Sequence, residues 1–194
     1  MRRLLSFHAL LVYLFLYLPI LVVVALSFNE SRRGVHFTGF TLKWYQGLFQ
    51  DPRVLEYFAN TLVVALVSTL VSTVLGTLLA LGLVRYRFPG KGFLRYLLYV
   101  PVVVPDVVMG VSLLLLFAFS RELLGFPRLS LLTVILGHIT FQVAFVTLVV
   151  RSRLLLLDPA LEEAARDLGA RGFQTFLHVT LPLAWPGVAA GALL

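Results

Sequence analysis

The sequence contains no cysteine, and only 13% of its residues are charged. Without thiols the chain can form no disulfide, no thiolate metal site and no cysteine nucleophile. The histidines are scattered, and no two of them stand at the spacing of a metal-ligand pair; they are His8, His36, His138 and His178. The sequence therefore predicts neither a metal site nor a cofactor.

Sequence motifs for nucleotide hydrolysis and for other hydrolytic catalysis are also missing. Gly90-Lys91-Gly92 lacks both the upstream glycine and the following Ser or Thr of a P-loop. Neither Gly-x-Ser-x-Gly nor His-Glu-x-x-His occurs. We expect a chain that is not an enzyme and has no catalytic residues of its own.

Apolar residues dominate what is present. Hydrophobic residues make up 60% of the sequence, and the mean hydropathy is +0.97, values that are typical of an integral membrane protein. The net charge is +7, but the basic residues lie in short clusters between apolar runs. Such clusters indicate membrane topology rather than a phosphate-binding face, so no nucleic-acid partner is predicted.

Four long apolar runs and one shorter run predict membrane-spanning helices. They cover about residues 4–29, 58–84, 96–120, 131–150 and 181–194. The first four are long enough to cross about 30 Å of hydrocarbon. The last has 14 residues, about 21 Å as a helix. We therefore expect a truncated fifth span, with at least one further span outside this sequence.

Charge predicts the orientation of these spans. Residues 85–95 carry four positive charges and no acid, which places that loop in the cytoplasm. Arg2 and Arg3 put the N-terminus on the same side and residues 29–57 outside. Positive charge before an apolar run also suits a signal peptide. Because the first run exceeds 20 residues, we expect a retained span instead.

Two further features predict contacts of the helices. Residues 41–49 are expected to form a short amphipathic helix with Trp44 and Tyr45 in the lipid headgroup layer. In the second run, small residues recur every four positions, namely Ser68, Ser72, Gly76 and Ala80. A face of this kind lets another helix approach closely, and we favour packing over a pore-lining role.

Asp106 is the one acidic residue well inside a predicted span. It lies about 15 Å along the helix from Tyr96, where a carboxylate costs about 2.5–3.5 kcal/mol and should face protein or water. Two interpretations stay open: Asp106 caps a half-helix that restarts after Pro105, or it contacts a cation on a solute path. His138 and Gln142 share one face of the fourth run, and either could satisfy Asp106 by a hydrogen bond.

A polar segment between the fourth and fifth runs predicts a helix, a turn and a second short helix. Asp158 followed by Pro159 is a typical helix start, and acidic residues fill the first turn, where they suit the helix dipole. Gly169 is expected to end that helix. The second helix should end before Pro182, which opens the last apolar run.

The spacing of seven residues here resembles the EAA loop of ABC importer permeases. The matching positions are Glu163, Ala164, Ala165, Gly169, Val179, Leu181 and Pro182, with Val179 where the family often has isoleucine. The resemblance implies that residues 151–181 form a cytoplasmic coupling loop that docks into a groove on an ATPase subunit. A helix lying on lipid is the alternative. Residues 158–171 hold four acids against two arginines, a balance that anionic lipid does not attract.

Other segments resemble the permeases of spermidine/putrescine importers over nearly the whole chain. They are Ser27-Phe28-Asn29, residues 39–45, residues 85–88, residues 105–109 and residues 138–141. The resemblance implies an all-α polytopic membrane bundle of the type I importer kind. Residues 1–194 would be a single permease domain that holds five of six spans, in a bacterial inner membrane. Implied partners are ATPase subunits, a second permease subunit, an extracytoplasmic solute-binding protein and the bilayer.

The predicted function is therefore ATP-driven import of polyamines. A partner would hydrolyse ATP, and the spans would alternate between inward-open and outward-open states. Asp106, His138 and Gln142 are the candidate residues of the solute path. The alternatives are the same machine with another cation, an anion or a metal complex as its solute, or a non-transport membrane scaffold.

Overall fold

A computed structural model describes residues 2–31, 34 and 36–194 of the chain, without the side chains of Arg2 and Arg3. The topology prediction from those two arginines therefore lies outside the described residues. Within them the chain is helical, with one isolated antiparallel bridge between Asn29 and Phe40. The helices are α1 (Arg2–Ser27), α2 (Lys43–Gln50), α3 (Pro52–Arg85), α4 (Lys91–Leu97), α5 (Val100–Val103), α6 (Asp106–Leu124), α7 (Leu131–Leu155), α8 (Ala160–Asp167), α9 (Gly172–Thr175), a π-helical turn (Phe176–Thr180) and α10 (Leu181–Ala192).

Four of these helices are long and apolar enough to cross a membrane. They are residues Leu4–Ser27 of α1, then α3, α6 and α7. The prediction of four full spans is confirmed in number by length and composition, and α10 is a shorter apolar helix of 12 residues. The all-α fold is likewise confirmed. The chain divides into two compact units, Met1–Ala59 and Asn60–Leu194, and the boundary falls inside α3.

In the first unit, Asn29 holds together the connection that follows α1. Its side chain is fully buried, and its Nδ2 donates to the carbonyl oxygen of His36 at 2.5 Å. Its Oδ1 accepts a hydrogen bond from the backbone N–H of Thr38 at 2.8 Å. Trp44 Nε1 donates to the carbonyl oxygen of Asn29 at 2.9 Å. A buried amide must satisfy its polar atoms, and here it does so by fixing the loop.

Aromatic side chains of α2 contact the residues that follow α1. The hydroxyl oxygen of Tyr45 lies 2.6 Å from Ser27 Oγ, at the end of α1. Phe28 stacks on both Tyr45 and Phe40, with ring centroids 5.3 and 5.4 Å away. The sequence predicted the headgroup layer for Trp44 and Tyr45. That placement stays a prediction, and the polar atoms of both side chains also bond to the turn after α1.

The third apolar run is not one helix. Its regular span begins at Asp106 rather than Tyr96, because Pro105 forces the residue before it out of the helical region. Val104 accordingly has an extended ψ of 131°. The predicted restart after Pro105 is confirmed. Asp106 is the first residue of α6, and its carboxylate makes no capping hydrogen bond.

In the second unit, α3 packs against α7 through the predicted stripe of small residues. Ser68, Ser72, Gly76 and Ala80 are all buried, so the packing interpretation is confirmed. At Gly76 an added Cβ would lie only 2.7 Å from Val146 Cβ. The two helices therefore meet at a distance that only glycine permits.

Helix α7 packs against α10 in the same manner. A Cβ at Gly187 would lie 2.6 Å from Arg153 Cβ, and one at Gly191 would lie 3.3 Å from Val146 Cγ1. The buried apolar residues of all three helices form one cluster, made of Ala80, Val146, Val150, Leu154, Ala184 and Val188. Helix α7 thus lies at the centre of the second unit, in close contact with both α3 and α10.

We predict that Gly76→Ala lowers the thermal stability of the protein, whereas Gly82→Ala on the same helix does not. An overpacked contact costs about 1–3 kcal/mol, while Ala normally favours a helix over Gly by about 0.5–1 kcal/mol. An added Cβ at Gly82 meets no atom within 4 Å. Thermal unfolding of both variants in one detergent measures the difference. Equal shifts in the two variants would contradict the close approach of α3 and α7.

Candidate functional site

The polar segment after α7 begins and ends its first helix as predicted. Asp158 Oδ1 accepts a hydrogen bond from the backbone N–H of Ala160 at 3.0 Å, and α8 starts directly after Pro159. Gly169 has a φ of +90°, the left-handed conformation that ends a helix and favours glycine. The predicted start and stop are confirmed, the start to within one residue.

The second helix differs from its prediction. It does not stop before Pro182, because α9, the π turn and α10 follow one another without a break. Within the turn, the backbone N–H of Leu181 donates to the carbonyl oxygen of Phe176, five residues earlier. Proline offers no N–H, and its ring crowds the carbonyl four residues before it, here that of His178. A widened turn relieves that crowding and keeps the helix continuous.

The predicted coupling residues occupy different surroundings. Glu163, Ala164, Gly169 and Pro182 are exposed, whereas Ala165, Val179 and Leu181 are half-buried. Three of the seven, Ala165, Gly169 and Val179, line one open hollow of about 460 Å³ beside Gln174 and His178. The structure thus brings these three together, while Leu181 packs on the buried cluster of α7 and α10.

Apolar side chains on the same segment face outward. Leu168 is 90% exposed and Phe173 is 72% exposed. Both flank Gly169, and the exposed carboxylate of Glu163 stands on the helix before it. A surface that joins large exposed apolar groups to charge is typical of an interaction site.

Glu162 is the buried carboxylate of the segment, and sequence reasoning missed it. Its residue is 8% exposed. Its Oε1 accepts hydrogen bonds from Arg85 Nη2 at 2.9 Å, from Arg85 Nε at 3.1 Å and from Thr180 Oγ1 at 2.8 Å. Arg166 Nη2 lies 3.9 Å from the other oxygen. This cluster joins the end of α3, helix α8 and the π turn.

The three candidate path residues also come together. Asp106, His138 and Gln142 all line one cavity of about 470 Å³ between α6 and α7. Most of its wall is apolar or aromatic, including Phe117 and Phe141. These residues lie on facing helices as predicted, although no sequence pattern indicates the cavity itself.

Neither His138 nor Gln142 satisfies the carboxylate of Asp106, contrary to the predicted hydrogen bond. His138 Nδ1 lies 2.8 Å from the carbonyl oxygen of Val134, within its own helix. Gln142 Oε1 accepts a hydrogen bond from Ser72 Oγ at 3.3 Å, which links α7 to α3 instead. In the described part of the chain, Asp106 is exposed to the cavity and no group of three or more His, Asp or Glu side chains could hold a metal.

Comparison with known proteins relates this geometry to a family. The family described as "Binding-protein-dependent transport system inner membrane component" matches residues 72–194. The chain is 43% identical over 180 residues to the spermidine/putrescine transport system permease protein PotC of Escherichia coli (strain K12), which is 93% of this chain and 66% of that protein. It is 39% identical over 187 residues to the putrescine transport system permease protein PotI of the same strain, which is 95% of this chain and 66% of PotI.

The fold has a solved counterpart. A bacterial ABC transporter involved in the import of the acidic polysaccharide alginate contains a chain with a TM-score of 0.74 and 19% identity, and the match covers 97% of this chain and 71% of that one. This chain spans about two thirds of the length of the curated relatives it matches. The family match extends over more than half of the chain and includes α7, residues 151–181 and α10. The chain belongs to the binding-protein-dependent transport system inner membrane component family.

Proposed function

We propose that this chain is a transmembrane permease subunit of an ATP-driven importer for polyamines such as spermidine and putrescine. The observation that carries the proposal is the coupling segment, residues 151–181, which leaves the end of α7 and returns directly into α10. It presents an exposed carboxylate and exposed apolar side chains around a glycine turn. An ATPase subunit is the partner that this surface would meet.

The route from the coupling segment to the spans follows from packing. The segment begins in the last turn of α7, and His138 and Gln142 lie nearer the middle of that helix. Helix α10 leaves the segment and packs along α7. A displacement of α8 by ATP-driven closure of a partner would therefore reach the cavity through two packed helices, in the manner of alternating access. In this proposal the permease changes conformation and the partner subunit hydrolyses ATP.

The cavity between α6 and α7 has the chemistry that a polyamine requires. The carboxylate of Asp106 has no protein partner among the described residues and can pair with an ammonium group. The rings of Phe117 and Phe141 can face a further cation, and apolar walls suit the methylene linkers between amines. An anionic solute would meet the same carboxylate unfavourably. The names of the two relatives above support this solute class.

The family description and the proposed transport cycle support a set of partners for this chain. The family is described by its dependence on a binding protein, so an extracytoplasmic solute-binding protein would deliver the polyamine. A second permease subunit would close the path on the side that this chain leaves open. Two ATPase subunits would occupy the cytoplasmic face of the bacterial inner membrane.

We predict that Gly169→Val in the full-length permease reduces the amount of ATPase subunit that co-purifies with it. A β-branched residue in the left-handed region costs about 1–2 kcal/mol and would reorient the loop between α8 and α9. Gly90→Val is the matched control, because Gly90 has a φ of +83° in another loop. Pull-down from membranes with equal permease levels measures the effect. Full recovery of the ATPase with Gly169→Val would count against docking at this turn.

We predict that Asp106→Asn in the full-length permease lowers polyamine uptake by about tenfold or more. A loss of about 1.4 kcal/mol of ion pairing is enough for that factor. Uptake of labelled putrescine and spermidine into proteoliposomes of the assembled transporter measures it. Glu122→Gln is the control, since that exposed carboxylate ends the same helix. Unchanged uptake with a normally folded Asp106→Asn protein would remove Asp106 from the solute path.

A further inference from the structure

We propose that Glu162 is a positioning residue that fastens helix α8 to the cytoplasmic end of α3 and to the π turn. Through this clamp a push on α8 would reach α3 as well as α7 and α10. The inference rests on the proposed coupling function and deepens it, because it concerns how the same segment transmits movement. The clamp consists of Glu162, Arg85 and Thr180, with Arg166 at its edge.

Because Glu162 is buried, its carboxylate must be paired with a cation and hydrogen-bonded. Its side chain is 11% exposed and that of Arg85 is 21% exposed, so both charges are largely withdrawn from water. A buried carboxylate is stable only when charge and hydrogen bonds compensate for its lost hydration. Three donated hydrogen bonds on one oxygen supply that compensation, and two of them come from one guanidinium.

The neighbouring acid has a different role. Glu163 is exposed and is available to a partner, whereas Glu162 points into the protein and is not. The two adjacent glutamates of α8 thus have separate roles. Glu163 can contact a docked subunit, and Glu162 holds α8 in place.

The clamp is also the link between α8 and α3. Helix α8 packs against α9 and the π turn, which follow it in the chain. Within the described ranges, the only hydrogen bonds between α8 and α3 are those that Arg85 donates to Glu162. Arg85 is the last residue of α3. Without this pair, α8 would move only with α9 and the π turn.

Helix α3 leads from the clamp to the candidate solute path. Thirteen residues before Arg85, Ser72 Oγ donates to Gln142 Oε1, and Gln142 lines the cavity that also contains Asp106. A movement of α3 would therefore shift a side chain at the wall of that cavity. The clamp gives the coupling segment a second route to the path, which runs through α3 and reaches Gln142 on α7.

Residues 1–194 contain no cysteine, which allows a direct test with Arg85→Cys/Glu162→Cys once any cysteine elsewhere in the full-length permease is replaced. The variant is assembled in the full transporter with cysteine-free partner subunits and reconstituted in proteoliposomes. The measured quantity is the ATPase rate with solute-loaded binding protein divided by the basal rate. Before cross-linking we expect this ratio to fall about tenfold, the factor for one charge-assisted hydrogen bond, while ATPase subunits remain bound. A short bifunctional thiol reagent should restore it.

Controls separate positioning from folding and from charge. Glu162→Cys alone, treated with the same reagent, should stay uncoupled, and Glu122→Cys should behave as the parent. Glu162→Gln keeps the shape of the side chain and should lower the ratio to a smaller extent, even if the double variant assembles poorly. Full coupling in Glu162→Gln, or no recovery after cross-linking, would overturn the clamp. If the parent transporter shows no stimulation by loaded binding protein, the proposed importer function has failed instead.

Discussion

The close contact of α7 with α3 and α10 is the constraint on which the second unit depends. At Gly76 and Gly187 an added Cβ would come within 2.7 Å of a facing side chain, so backbones rather than side chains set the helix spacing. In lipid the hydrophobic effect does not drive helices together, and tight van der Waals contact takes its place. The cavity beside α6, the coupling segment and the clamp at Glu162 all depend on the packing of these three helices.

Local signals were sufficient to predict most of the fold. Length and hydropathy located the spans, because a bilayer of fixed thickness demands long apolar helices. The four-residue recurrence that includes Gly76 and Ala80 predicted the packed face of α3, since side chains four apart share one side of a helix. Gly169 predicted a helix end because glycine readily adopts the left-handed conformation that follows a helix.

The rest of the site depends on contacts that sequence periodicity does not encode. Arg85 and Glu162 are 77 residues apart, and Arg85 had been interpreted as a topology signal alone. The motif spacing singles out Glu163, but no local pattern predicts that Glu162 beside it is buried. Gln142 shares a cavity with Asp106 as expected, but its Oε1 accepts a hydrogen bond from Ser72 because α3 packs on that side of α7. In each case tertiary packing selected one partner among several that the sequence allowed.

The π turn fixes the rotational phase between the coupling segment and the helix that follows it. Thr175 and Thr180 are 3% and 4% exposed. In a regular α-helix, residues five apart point about 140° away from each other, so both could not be buried together. The wider turn aligns them. Loss of one residue from it would rotate α10 by about 100° relative to α9, and either Thr180 would leave Glu162 or Gly187 would leave α7. The π turn thus makes the orientation of α10 depend on that of α9, so that a rotation of one helix would be a rotation of the other.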